Sequence, residues 1–444
     1  MSGVGVNVGK FSRRNFLKLT ATAVAAGPFL SFPGHVFAGQ KTLKIAKWAH
    51  FLQEFDIWFE GMARDWGQQH GTVVTVDEIP VESIHALAKA EIKAGKGHDI
   101  FIFPWPPAEF QQSAIDHGVV YQMAAASYGS IPEIAFKSTL NLKTKKHFGF
   151  ADYWVPSPLL YFEDCWREAN MPYGPLVYGS LRSGGQRVRA KLGIPCGLAI
   201  TPTLEGNITA HTILYAFGGA MMNAKGEIKV NARTTAALNF AKALYQDAEA
   251  PESLTWGSGG NVQAMLERKV SCTVNSISLL RLAEKQNPEI AKKIKVQPPL
   301  LGSYGVTAFP HATNCSVIWN FSKNQDDAKQ FLADMIASSK SGYEQSLGCN
   351  FPTYPKTLPN LIVRLQNDSR ADSPQKYEEL KDALHWTPNL GAPGFANPAW
   401  MEAFNTFVVP RMFASVIKGE LGSLDAAKAA EEEMKQIAER WKDV

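Results

Sequence analysis

Four tryptophans lie where a predicted strand ends or in a loop: Trp48, Trp105, Trp154 and Trp256. In an open α/β sheet, ligands bind beyond the carboxyl ends of the strands. A flat aromatic ring at such a place can cover the C–H face of a ligand while polar neighbours bond its hydroxyl groups. Core packing is the alternative for each of these rings. We expect this group, together with Tyr153, to contain ligand-binding side chains.

Polar side chains near the same strand ends are the candidate hydrogen-bonding partners. His50 follows the first predicted strand, Asn275 and Ser276 follow a later one, and Tyr304 lies in the glycine-flanked turn 302–305. Asn275 could instead be the N-cap of the helix that comes after it. No acidic or basic cluster stands out in these loops, which favours an uncharged, hydroxyl-rich ligand.

Catalytic and metal-binding patterns are missing from the sequence. It contains no GxSxG, HExxH, Walker A or GxGxxG motif. The adjacent acids Glu163-Asp164 and Asp326-Asp327 cannot face each other across a substrate as the two acids of a glycosidase do, so we expect them on the surface. The ten histidines are scattered. We predict a protein that is not an enzyme, with no cofactor and no metal.

Residues 1–38 have the pattern of a twin-arginine signal peptide. Arg13-Arg14 precedes a moderately apolar run over residues 19–32, and the small residue Ala38 offers a cleavage site. The run is short and broken by glycine and proline, so a retained membrane anchor is not expected. We predict export of a folded chain to the periplasm by the twin-arginine machinery.

The charge balance excludes several partners. The chain has 45 basic and 41 acidic residues, and four of the basic ones fall within residues 1–38, which contain no acid. The remainder therefore carries 41 residues of each sign, and nothing indicates nucleic acid or an anionic membrane as a partner. The five cysteines include no CxxC pair, and the sequence does not show which of them, if any, form disulfides.

The pattern of elements predicts parallel βαβ units in the first part of the chain. Strand, helix, strand, helix and strand alternate from Thr42 to Phe103, where Asp99–Phe103 is the continuous apolar run of a strand buried on both faces. A further strand is predicted at Gly197–Ile200. Asn231 is a predicted N-cap, and the helix after it has apolar residues at helical spacing.

Two stretches carry a resemblance to a known family. The first is an apolar run followed by Gly218-Gly219 and the pattern GG-x-x-x-N-x-x-G-x-I-x-x-N, which ends at Asn231. The second is Ser322-Lys323-Asn324 followed by Ala328 and Phe331-Leu332. Both resemble the family 1 extracellular solute-binding proteins, the substrate-capturing components of bacterial ABC transporters, most often for carbohydrates. The resemblance extends over most of residues 42–441.

The resemblance implies a fold and a function. The expected fold is α/β with two lobes, each a mainly parallel sheet flanked by helices, joined by a hinge that the chain crosses several times. Lobe 1 is expected at residues 41–152 plus 315–352, and lobe 2 at residues 156–312 plus 353–444. The expected protein is a monomer that captures a small solute, preferably a carbohydrate, and delivers it to a membrane permease.

Other functions remain open at the level of sequence. A secreted carbohydrate-active enzyme could use a similar two-lobe fold, although no acid, base or nucleophile arrangement is visible. Within the binding proteins, a polyamine or a peptide is a possible ligand. The nine candidate ligand-binding residues are Trp48, His50, Trp105, Tyr153, Trp154, Trp256, Asn275, Ser276 and Tyr304.

Overall fold

Nine strands form two separate sheets in the part of the chain that the structure describes. The strands are β1 (Lys41–Trp48), β2 (Thr72–Ile79), β3 (Ile100–Phe103), β4 (Phe150–Val155), β5 (Leu159–Phe162), β6 (Cys272–Val274), β7 (Ile294–Gln297), β8 (Ala312–Ile318) and β9 (Phe351–Pro352). This structure is a computed structural model, and it describes residues 41–228, 230–373 and 375–443. The predicted signal peptide, residues 1–38, lies outside the described residues.

Helices account for most of the remaining described chain. The α-helices are α1 (Gln53–His70), α2 (Ile84–Ala94), α3 (Gly118–Tyr128), α4 (Glu133–Thr139), α5 (Glu163–Glu168), α6 (Tyr178–Leu192), α7 (Leu204–Ala216), α8 (Ala232–Asp247), α9 (Gly260–Leu266), α10 (Ser278–Gln286), α11 (Pro288–Ala291), α12 (Gln325–Met335), α13 (Ser339–Gln345), α14 (Leu361–Gln366), α15 (Ala383–Trp386), α16 (Pro398–Asn405), α17 (Val408–Ile417) and α18 (Ser423–Arg440). Short 3₁₀ helices occur at Ala108–Ser113, Pro251–Leu254, Ile336–Ser338, Pro355–Thr357 and Glu378–Asp382. None of the helices in the described ranges is long and apolar enough to cross a membrane.

The first sheet has the strand order β2-β1-β3-β8-β4-β9. The β1–β2 and β1–β3 pairs are parallel, as the alternation of strands and helices predicts. The β3–β8, β4–β8 and β4–β9 pairs are antiparallel. We call this sheet and the helices packed on it lobe 1.

The second sheet has the order β6-β5-β7, and both of its pairs are antiparallel. We call it and its helices lobe 2. The α/β class is confirmed, but the mainly parallel pairing predicted for each lobe holds only for β1, β2 and β3. Gly197–Ile200, predicted as a strand, belongs to neither sheet. Its backbone is bonded partly by side chains: the Gly197 N–H donates to the Cys272 carbonyl at 2.9 Å, but the Leu198 N–H donates to the Glu249 carboxylate at 2.9 Å.

Local sequence explains where two of the helices that frame the lobes begin or end. Asn231 is the N-cap of α8, as predicted, and its side-chain oxygen accepts from the N–H groups of Arg233 and Thr234. Helix α1 ends at Gly71, whose φ of 64° is left-handed and costs glycine little. Tertiary packing holds α1 in place, because the helix buries Phe55, Phe59, Ala63 and Trp66 at helical spacing.

Separate groups of core side chains lie on the two faces of the first sheet. On one face, Ile45 packs with Phe55 and Phe59 of α1. On the other face, Phe101 and Phe103 pack with Phe110 of the 3₁₀ helix Ala108–Ser113. Because strand side chains alternate between faces, neighbouring residues of β1 and β3 serve different cores. The N-terminus of α1 and the 3₁₀ helix therefore lie on opposite faces of the first sheet.

Candidate functional site

The strand ends of both sheets meet in one region. In lobe 1, the carboxyl ends of β1, β3 and β4 lie beside the amino ends of β8 and β9, because Phe103 pairs with Cys315, Val155 with Ala312, and Trp154 with Phe351. Only residues 156–158 separate β4 from β5, and the Asn275 N–H donates to the Pro158 carbonyl. We call the space between these strand ends the cleft.

Trp48 and His50, at the end of β1, are buried and fully bonded to the protein. The indole Nε1 of Trp48 donates to Asn314 Oδ1 at 2.7 Å. His50 Nδ1 accepts the N–H of Leu52, and its Nε2 lies 3.1 Å from Asn350 Oδ1. Burial lowers the pKa of His50 to about 3, so the ring is neutral. The structure gives both side chains the role of holding the loop after β1.

Phe51 is the exposed aromatic residue of that loop, and the sequence analysis missed it. Its side chain is 43% exposed. The ring centroid lies 5.2 Å from that of Trp48 and 5.1 Å from that of His311, which precedes β8. Phe51 thus lies at the cleft with one surface free. The signal in the sequence was its position, three residues after the end of an apolar strand.

A buried ion pair fixes the same loop. The ammonium group of Lys47 is bonded to the carboxylate of Asp56, and both side chains are almost completely buried. The Asp56 oxygens also accept the backbone N–H of His50 at 3.0 and 3.2 Å. Burial lowers the pKa of Lys47, and Asp56 opposes that shift. This contact ties β1 to α1 and thereby sets the direction in which Phe51 points.

The three other predicted aromatic residues of lobe 1 are buried in different surroundings. Trp105 lies with its ring centroid 5.5 Å from that of Phe404 in α16. Trp154 packs against Phe351 at 5.2 Å, and Tyr153 packs against Phe55 at 5.6 Å. Their rings have little free surface, since Trp105 is 6%, Tyr153 7% and Trp154 2% exposed. The Trp105 ring thus reaches a residue of lobe 2.

Three of the predicted residues of lobe 2 lie near the strand ends. Asn275 and Ser276 follow β6 and are buried. Asn275 is not a helix cap, because α10 begins at Ser278 after the N-cap Ile277. Trp256 is half-buried and lies beside the start of α7, where its carbonyl accepts the Thr201 hydroxyl at 3.0 Å.

Tyr304 is not brought to the other candidates. Its side chain is 66% exposed and lies 4.5 Å from the guanidinium of Arg233. Its N–H donates to the carbonyl of Ala216, at the C-terminal end of α7. Thr201 and Trp256 lie at the opposite end of that helix, roughly 20 Å away at 1.5 Å per residue. The structure therefore places Tyr304 on the surface of lobe 2.

Several buried polar atoms near the strand ends have no partner within the described residues. Such atoms cost free energy unless something bonds them. Those near the strand ends and at the C-terminal end of α15 are Trp105 Nε1, His311 Nδ1, Thr313 Oγ1, Asn350 Nδ2, Trp386 Nε1 and Thr387 Oγ1. In lobe 2, Glu205 Oε2 is also buried without a partner, while Glu205 Oε1 accepts the N–H of Gly259 at 3.0 Å.

The charges near the cleft are mostly neutralised. Lys47 and Asp56 form an ion pair. Burial raises the pKa of Asp152, which bonds Asn314, to about 7. Burial also lowers the pKa of His311 to about 4, so its ring is neutral. This arrangement favours hydrogen bonding over the binding of a strongly charged ligand.

The adjacent acidic residues that were considered for catalysis form ion pairs away from the cleft. Asp164 forms an ion pair with Arg268 at 2.7 Å, and Asp327 with Lys41 at 3.0 Å, both near the surface. Within the described ranges, no group of three or more histidine, cysteine, aspartate or glutamate side chains is arranged to hold a metal ion. The five cysteines are free and buried.

The chain has the two-lobe fold of periplasmic solute-binding proteins. No protein-family model matches the sequence, and no curated protein matches it. The likeness is in three dimensions, to solved structures of which the chain covers almost the whole length.

Three solved structures illustrate this likeness. One is an ABC transporter solute-binding protein from Thermotoga lettingae with bound α-D-tagatose, with a TM-score of 0.73, 20% identity, and coverage of 89% of this chain and 99% of that one. A putative oligosaccharide periplasmic-binding protein from Synechococcus has a TM-score of 0.75, 17% identity, and coverage of 89% and 100%. A sugar transporter from Arthrobacter chlorophenolicus with bound laminaribiose has a TM-score of 0.72, 15% identity, and coverage of 89% and 99%.

Proposed function

We propose that this protein is an exported solute-binding protein that captures a small carbohydrate between its two lobes for an ABC transporter. The observation that carries the proposal is the cleft itself. There an exposed aromatic ring, Phe51, lies beside buried hydrogen-bonding groups that have no partner within the described residues, among them His311 Nδ1. Proteins that share the fold bind tagatose and laminaribiose according to their descriptions, which supports a carbohydrate here.

The chemistry of a sugar fits these groups. A sugar ring has apolar C–H faces, whose burial on an aromatic ring is favourable, and hydroxyl groups that must be bonded when they leave water. In this proposal Phe51 covers a C–H face. Thr313, His311 and Trp105 bond hydroxyl groups from lobe 1 and the hinge, while Trp256 and the Glu205 carboxylate contribute from lobe 2. Trp48, His50, Tyr153 and Trp154 support this surface from behind, and Asn275 and Ser276 lie at its edge.

The lobes and the route of export belong to the same proposal. The predicted bounds at 152 and 315 fall inside β4 and β8, so we place lobe 1 at residues 41–155 plus 312–352 and lobe 2 at residues 156–311 plus 353–444, which keeps both strands whole in the first sheet. A ligand that contacts both lobes favours a closed arrangement, because it bonds more groups there than in an open one. Arg13-Arg14 directs the folded chain to the periplasm, where a membrane permease receives the solute. The protein acts without catalysis.

A thermal-unfolding measurement separates binding from catalysis. In the presence of its carbohydrate at about 100 times the dissociation constant, the protein should gain about 2.7 kcal/mol of stability, because the sugar binds only the folded state. The sugar should be recovered unchanged by chromatography after long incubation. Recovery of a shortened or hydrolysed sugar would show an enzyme instead.

A further inference from the structure

The two lobes also touch each other outside the hinge, on the α1 side of the first sheet. Glu54 lies in the first turn of α1, and Lys285 lies in the last turn of α10 in lobe 2. Their side chains form an ion pair with an N–O distance of 2.8 Å, and the Lys285 side chain is 70% exposed. The carboxylate is at a helix N-terminus and the ammonium at a helix C-terminus, which is the favourable arrangement for both helix dipoles.

A second set of contacts joins the lobes on the opposite face of the first sheet. The Trp105 ring packs against Phe404, and the neighbouring Asn405 amide donates to Glu109 Oε1 at 2.9 Å. Elsewhere between the lobes, the Leu390 N–H donates to the Ser138 hydroxyl at 3.1 Å. Trp105 and Phe404 are only 6% and 3% exposed, so this contact is part of a packed core.

The two sets of contacts bracket the cleft. Glu54 belongs to the helix that packs on one face of the first sheet, and Glu109 belongs to the 3₁₀ helix that packs on the other. A packed layer lies about 10 Å from a sheet, so the two sets of contacts, on opposite faces, are roughly 20 Å apart. The side chains that make these contacts occupy part of that distance. The space for a solute between them is correspondingly short.

The two sets of contacts between the lobes differ in strength. An exposed ion pair such as Glu54–Lys285 contributes at most about 1 kcal/mol and separates readily. The contact between Trp105 and Phe404 excludes water, and opening it would expose two large aromatic side chains, each worth a few kcal/mol. The α1 side has a further contact, because Glu344 of α13 forms an ion pair with Arg364 of lobe 2 at 2.9 Å. Contacts between the lobes therefore close both ends of the cleft, and we call the packed pair Trp105 and Phe404 the wall.

We infer that the cleft takes a short saccharide, of one or two sugar units, which fits between the Glu54–Lys285 contact at one end and the packed Trp105 and Phe404 at the other. This inference rests on the proposed function, because it names the size of the carbohydrate bound at the same site. A longer chain would have to displace the packed aromatic wall.

Calorimetric titration with two series of sugars tests the inference. The series are α-1,4-linked and β-1,3-linked glucose, each from the monosaccharide to the pentasaccharide. We expect the mono- or disaccharide to bind, and the trisaccharide and longer members to bind about 100-fold more weakly, as expected for overpacking by one more unit. In Phe404→Leu, which shortens the wall but keeps it apolar, the trisaccharide should regain at least part of this loss.

The ion pair provides the matched control. Glu54→Gln should leave the preference for short sugars unchanged and increase the dissociation rate, because it weakens only one exposed contact between the lobes. Long members that bind wild-type protein as tightly as the disaccharide would overturn this inference and leave the proposed function intact. If no sugar of either series and no other sugar of a carbohydrate panel binds, both this inference and the proposed function are contradicted.

Discussion

Replacing Asp56 with alanine is expected to lower the free energy of unfolding by about 3–5 kcal/mol. The substitution leaves the buried ammonium group of Lys47 without its partner and removes the acceptor of the His50 N–H. Chemical denaturation of the purified protein would measure the loss. We expect the change in the denaturation midpoint to appear without a change in the slope, because the fold is retained.

An exposed ion pair of the same lobe provides the control for Asp56. Lys41 and Asp327 lie 3.0 Å apart, but the Lys41 side chain is 63% exposed. Asp327→Ala should therefore change the stability by less than about 1 kcal/mol. In the double variant Lys47→Met, Asp56→Leu, both charges are removed together, and much of the stability should return. An Asp56→Ala protein as stable as Asp327→Ala would contradict the role given to this pair.

Phe51→Ala is expected to weaken carbohydrate binding by about 2 kcal/mol or more, which is roughly 30-fold in affinity. The ring has a free surface at the cleft, so its loss should change the stability of the unliganded protein little. Calorimetry of the variant and thermal unfolding without ligand measure the two quantities separately.

Trp48 is the matched comparison for Phe51, because both lie in the same segment with opposite exposure. Trp48 is 1% exposed and bonded to Asn314. Trp48→Ala should cost about 3–5 kcal/mol of stability, as expected for a large buried aromatic residue. If Phe51→Ala keeps full affinity and lowers the melting temperature as much as Trp48→Ala does, the ring belongs to the core and the proposed recognition surface is wrong.

Local patterns were sufficient for strands β1, β2 and β3 and for several helix ends. The continuous apolar run at Ile100–Phe103 and the helices before and after it predict parallel strands, and β1, β2 and β3 pair in parallel. Asn231 and the apolar spacing after it predict α8 from neighbouring residues alone. These features depend on residues close in sequence, so the spacing of apolar and capping residues along the chain predicts them.

The second sheet could not be predicted in the same way. Its strands have three or four residues and are buried on both faces, so the sequence carries no alternation that would reveal their direction. At Gly197–Ile200, the buried carboxylate of Glu249 takes the place of a strand partner. A contact of this kind, made by a side chain from about fifty residues away, leaves no local signal.

The sequence predicted candidate residues at the strand ends, and at the end of β1 the structure buries Trp48 and leaves the neighbouring Phe51 exposed. Trp48 and His50 face inward because Asn314, Asn350 and Asp56 bond them, and all three come from other elements. Phe51 is exposed as a consequence. Thr313 and His311 were missed because a hydrogen-bonding group without a partner is recognised only when the surrounding structure is known.

Calorimetric titration of the mature chain with one panel of carbohydrates, polyamines and short peptides tests the central claim most directly. We predict that a carbohydrate binds with a stoichiometry of one per chain and a negative change in heat capacity, because an apolar sugar face is buried on an aromatic ring. We predict no binding by polyamines or peptides, because Lys47 and Asp56 pair with each other, the His311 ring is neutral, and the one carboxylate of Glu205 does not balance the several charges of a polyamine. Binding of a polyamine or a peptide, with no binding by any carbohydrate, would contradict the account.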